Sequence, residues 1–118
     1  MNVGGMGELD ATNVKAVLDR IHAQIAAQDI RVTQHAHQEM VQEGINLDEV
    51  LQAITTGQIL ENYPEHRRGA CCLLYGLTRN GRPIHIVSTT AQPVLIVITV
   101  YEPKPPKWVT PTQRRRQT

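Results

Sequence analysis

The chain has no phenylalanine, one tryptophan and three tyrosines in 118 residues, so a core must be built from aliphatic and β-branched side chains. It also lacks an apolar run of the roughly 20 residues that a membrane-spanning helix requires. No charged-then-apolar leader with a small-residue cleavage site opens it. These absences predict a soluble, cytoplasmic protein without a membrane partner. Cysteine is scarce: Cys71 and Cys72 are adjacent and point to opposite sides of a strand. A disulfide between them would be strained and no zinc-ligand pair is formed, so both are expected to be buried small hydrophobes in a reducing compartment. No cofactor is expected. A chain of this length forms one domain that buries roughly two-thirds of its unfolded surface.

What is present is concentrated late in the chain. The stretch from Cys71 to Tyr101 holds most of the β-branched residues. Its apolar runs are interrupted by Thr-Arg-Asn-Gly-Arg and Thr-Thr-Ala-Gln-Pro, which predicts three consecutive antiparallel strands. Asn80-Gly81 predicts a type I′ hairpin turn, because both central residues of that turn need positive φ. The run from Pro93 to Tyr101 is apolar on both faces. It suits a central strand covered on both sides, by helices or the proline-rich tail, or a strand at the interface of a homodimer.

The preceding segments read as helices. Residues 1–8 are expected to be a flexible leader. Val14, Val17, Leu18, Ile21 and Ile25 form one apolar stripe of a helix over about 10–28, with Asp10 as its N-cap. Thr33 caps a second helix from Gln34 to about Glu43, closed by Gly44, with His37, Met40 and Val41 on its buried side and His35 facing away. Were this segment a strand, His35 and His37 would share a face, but no third metal ligand lies nearby in sequence. Asn46 and Glu49 form a capping box for a third helix over about 47–56, ended by Gly57, with Ile45 and Val50 as a hydrophobic staple. Gln58–Tyr63 predicts an edge strand. After Tyr101 the proline-rich segment is expected to wrap the body with Trp108 as anchor, and residues 111–118 to form a basic disordered tail. The fold class is therefore α+β: N-terminal helices on an antiparallel β-sheet of about four strands, within a domain over residues 9–110.

The net charge of +1 conceals a division. Residues 1–66 carry ten acids against Lys15, Arg20 and Arg31, a balance of −7, whereas residues 67–118 carry nine bases against Glu102, a balance of +8. This permits a polyanion to approach the sheet side, and equally permits the two halves to attract each other when packed.

The constellation of Arg31-Val-Thr-Gln-His-Ala, Met40, Gly44-Ile45, Tyr63-Pro64, Leu73-Leu74-Tyr75-Gly76, Pro83-Ile84-His85-Ile86-Val87 and Ile98-Thr-Val-Tyr-Glu-Pro, with Trp108, resembles the domain-of-unknown-function 4258 family over about residues 30–109. That family is similar to the small bacterial ribonuclease-toxin superfold of RelE-like and barnase-like proteins. The resemblance implies metal-independent cleavage of RNA, with an antitoxin-like protein as a possible partner. Such chemistry needs a base, an acid and cations around phosphorus. His35 and His85 are the candidate acid–base pair, Arg67, Arg68 and Arg82 the candidate phosphate clamps, and Tyr101 or Tyr63 a donor or stacking group. Family members often carry arginine at two second-helix positions where this chain has Glu39 and Glu43. The rival expectation is a non-catalytic protein-binding module, a degenerate toxin-like domain or a homodimer, in which His85 and His35 merely tie strand and helix to neighbouring backbone.

Overall fold

The computed structural model describes residues 10–115, so the expected leader lies outside the described residues. The first helix, α1 (Val14–Ala26), is capped by Asn13, whose side chain accepts the Ala16 N–H. Asp10, expected in that role, instead holds a turn by accepting the Thr12 N–H and hydroxyl. A three-residue strand β1 (Ile30–Val32) follows, then α2 (Gln34–Glu43), capped by Thr33 and closed by left-handed Gly44. Helix α3 (Leu47–Thr56) has the complete Asn46–Glu49 capping box. The staple residues Ile45 and Val50 are both buried. On α2 the buried residues are Ala36 and Met40, whereas His37 is exposed and Val41 is 70% exposed. The expected face was therefore rotated by about one residue.

The main sheet comprises β1, β2 (Gln58–Tyr63), β3 (Cys71–Leu77), β4 (Pro83–Thr89) and β5 (Leu95–Tyr101), in the order β1-β5-β4-β3-β2. The three-strand meander and the β2 edge follow the expectation. The sheet is nevertheless five-stranded and mixed, because β1 pairs parallel to β5 with Arg31 opposite Ile96. A three-residue strand gives little periodic signal, so its extended backbone was legible but its partner was not. The β3–β4 turn also differs. Only Gly81 has positive φ (79°), the Gly81 N–H reaches the Thr78 carbonyl at 2.9 Å, and Thr78 N–H pairs with the Arg82 carbonyl at 3.0 Å. This is a three-residue loop closed by a left-handed glycine rather than a type I′ turn.

Helices cover one face. Val17 and Ile21 of α1, Ala36 and Met40 of α2, and Val50, Ala53 and Ile54 of α3 join Cys72, Leu74, Ile84, Ile86, Leu95, Val97 and Val100 in one core. Helix α3 lies almost on the backbone of β3: a Cβ on Gly76 would stand 1.7 Å from the Ala53 carbonyl oxygen. Beyond Val97, β1 no longer covers β5, and α2 takes its place. Glu39 accepts the Val100 N–H at 3.0 Å and Glu43 the Glu102 N–H at 2.9 Å, so the departure from arginine at these positions satisfies an otherwise open strand edge. Arg82 ties the same corner, with Nη1 and Nη2 on the Gly44 and Glu43 carbonyls and Nε on Glu102.

The C-terminal segment crosses to the other face of the sheet. Strand β6 (Trp108–Thr110) pairs with β7 (Gln113–Arg114), so the tail expected to be disordered after Pro111 turns back on itself as far as it is described. Arg114 anchors it with two hydrogen bonds to Glu61, at 2.6 and 2.7 Å. Trp108 is the expected anchor, only 2% exposed.

Candidate functional site

Alternation along β4 puts Ile84 and Ile86 under the helices and turns His85 to the opposite face. There Tyr75 and Tyr101 are its cross-strand neighbours. The C-terminal segment roofs it: the Trp108 ring meets the imidazole edge-on with centroids 4.4 Å apart, and the Arg114 guanidinium lies over the Trp108 ring, 4.6 Å from its centroid. His85 is fully buried.

Both ring nitrogens are engaged. Nε2 lies 2.6 Å from the Pro111 carbonyl and Nδ1 3.1 Å from the Tyr101 hydroxyl. A carbonyl can only accept, so Nε2 carries the proton and, in the neutral ring, Nδ1 accepts from the phenol. Burial lowers the His85 pKa, opposed by the hydrogen bond to Pro111 and by the Glu61 charge. Burial likewise raises the Tyr101 pKa, keeping it a neutral phenol. The Trp108 Nε1–H, buried without a hydrogen-bond partner among the described residues, stands close enough to Tyr101 to oppose that rise. Arg114 holds the Glu61 carboxyl below the usual range.

At the edge of this roof, Tyr101 lines an open groove with Glu43, Glu102, Lys104, Lys107 and Trp108. The buried His85 thus has a contact, Tyr101, that solvent and solutes can reach.

The other sequence candidates lie apart. His35 is exposed at the start of α2, with Nε2 3.3 Å from Glu39. It shares the helix flank of Glu39 and Glu43 but stands roughly 12 Å along the axis from Glu43, and it makes no contact with His85. Arg67 and Arg68 are exposed in the β2–β3 connection, beyond the Cys71–Thr89 end of the strands. That end is four residues, roughly 13 Å, from the Tyr75–His85 pair. Arg82 commits all three guanidinium nitrogens to the α2–β5 corner. Tyr63 donates to Glu61. His85 and Tyr101 alone of the candidates are brought together. Glu61, Lys104, Lys107 and Arg114 were missed. Trp108 signalled that the tail docks on the body, but nothing in the chain indicated which face would receive it. Among the described residues no group of three potential metal ligands occurs.

The molecule so defined is an α+β domain with helices on one side of a mixed sheet and a buried, roofed histidine on the other. The model of the family described as Domain of unknown function (DUF4258) matches residues 32–102, and the chain belongs to that family. The match ends at Glu102, just before the segment that supplies the roof. No curated protein and no solved structure matches the chain.

Proposed function

We propose that this domain cleaves single-stranded RNA through a Tyr101–His85 proton-transfer pair, within the RelE-like and barnase-like ribonuclease class that the family motifs resemble. The observation that carries the reading is the hydrogen bond from the groove-lining Tyr101 to the enclosed Nδ1 of His85. Tyr101 is the group that meets substrate, and His85 acts through it. As the phenol oxygen takes the proton of a ribose 2′-hydroxyl, Tyr101 passes its own proton to Nδ1. The 2′-oxygen bonds to phosphorus, the 5′-oxygen leaves, and the same pair returns the proton to it. The products are a 2′,3′-cyclic phosphate and a 5′-hydroxyl. The Pro111 carbonyl and Glu61 stabilise the transient imidazolium.

A proton-transfer pair of this kind contributes about 100- to 10,000-fold. His85→Ala and Tyr101→Phe should therefore each nearly abolish cleavage of single-stranded RNA in EDTA. The rate should rise with pH through a value below about 6.5 as the imidazole becomes neutral, then level off. A second reading is favoured by the complete burial of His85 and the capture of its Nε2 by backbone: a non-catalytic module that binds an antitoxin-like protein or a second copy. Absence of cleavage by the parent protein across varied RNAs, or cleavage unaffected by both substitutions, would decide for that module.

A further inference from the structure

The charges around the groove beside Tyr101 are unequally committed. Glu102 is turned onto Arg82, 2.8 Å from its Nε, and Glu43 accepts the Glu102 N–H. Lys104 and Lys107 are exposed and have no ion-pair partner among the described residues. Their backbone is nonetheless held in place. The Trp108 N–H closes the turn on the Lys104 carbonyl at 3.1 Å, the Lys107 carbonyl accepts the Arg115 N–H at 2.8 Å, and Trp108 itself is buried. Two ammonium groups thus stand on a fixed turn beside a phenol, while the neighbouring carboxylates are occupied within the fold.

We propose that Lys104 and Lys107 form a phosphate-binding subsite beside Tyr101, occupied by the backbone of single-stranded RNA or by the phosphate of a free nucleotide. Two flexible point charges suit a tetrahedral anion approached from solvent, with no demand for the planar fork of arginine. The inference rests on the RNA-cleavage reading for its position beside the reacting pair, but anion binding can be measured without cleavage.

The test is fluorescence anisotropy of a labelled 2′-O-methyl oligonucleotide, which lacks the nucleophilic hydroxyl, titrated across salt concentrations. The double substitution Lys104→Gln, Lys107→Gln should weaken binding at least about tenfold at low salt. It should also make the slope of log K against log salt shallower by about 1.4, the contribution of two phosphate contacts on a single strand. Its thermal melting should match the parent, since both side chains are exposed. Affinity that grows with oligonucleotide length identifies the backbone as ligand. Equal competition by a nucleoside monophosphate, without length dependence, identifies the free nucleotide. Lysine-dependent binding by a protein that cleaves no RNA upholds the subsite and removes the cleavage reading. Unchanged affinity and slope in the double variant, or no binding by the parent, overturns the subsite even if RNA is cleaved.

Discussion

His85 concentrates the chemistry of the second sheet face in one side chain. It donates from Nε2 to Pro111, accepts at Nδ1 from Tyr101 and packs against Trp108. Because burial lowers its pKa in the folded state, the unfolded chain binds the proton more readily below about pH 6.5. Folding stability from this residue is thus fully present above that value and declines as the pH falls toward the folded-state pKa. Urea unfolding at a series of pH values should show this decline in the parent. His85→Gln should remove up to one proton's worth of the pH slope in that window, and an unchanged slope would place the titration elsewhere. The two thiols are the counterexample, residues whose burial has no such readout near neutrality. Cys72, enclosed in the helix-side core, has its pKa pushed up to about 12 by burial.

At the scale of elements, the contact of α3 with β3 sets how closely helices and sheet approach. Gly76 lets the strand backbone meet Ala53 directly, and Gly57 makes a second such approach, where a Cβ would stand 2.5 Å from the Ala53 oxygen and 2.8 Å from that of Tyr75. The obstructing atoms are backbone, so Gly76→Ala must displace a helix rather than rotate a side chain. We expect a loss of about 3 kcal/mol, the upper part of the usual range for overpacking, measured by chemical denaturation. A loss below about 1 kcal/mol would mean that α3 is free to lift. Helix α2 shows a different use of an element, as its Glu39 and Glu43 act as a substitute strand for the uncovered part of β5. The hairpin before β4 is similarly committed, because Arg82 links it to the end of α2 and the end of β5.

Across the whole molecule, the acidic and basic halves meet in cross-half ion pairs, Arg114 with Glu61, Arg79 with Asp48 and Arg82 with Glu49. Exposed pairs of this kind contribute little singly. The one joining Arg114 to Glu61 matters because it closes the C-terminal segment over His85. Deleting residues 111–118 would remove the Pro111 acceptor and the Arg114 clamp together, leaving a strand β6 without its partner. The truncated chain should become reactive toward diethyl pyrocarbonate at His85, a position the full chain protects. Equal protection in both would show that Trp108 and the sheet enclose the ring unaided.

Local signals along the chain determined the elements: the Thr33 and Asn46 caps, the Gly44 and Gly57 stops and the meander from Cys71 to Tyr101. Each depends on residues a few positions apart, where capping geometry and periodicity act directly. The tertiary structure alone decided that β1 pairs parallel to β5, that Glu39 and Glu43 close the β5 edge, and that Arg82 is consumed at a corner. It also decided that His85 meets Tyr101 and Pro111 rather than His35. These pairings join residues 16 to 65 positions apart. They are set by which sheet face and which edge each element reaches on packing, a choice made by the burial of the shared core and not encoded in the spacing of the residues that meet.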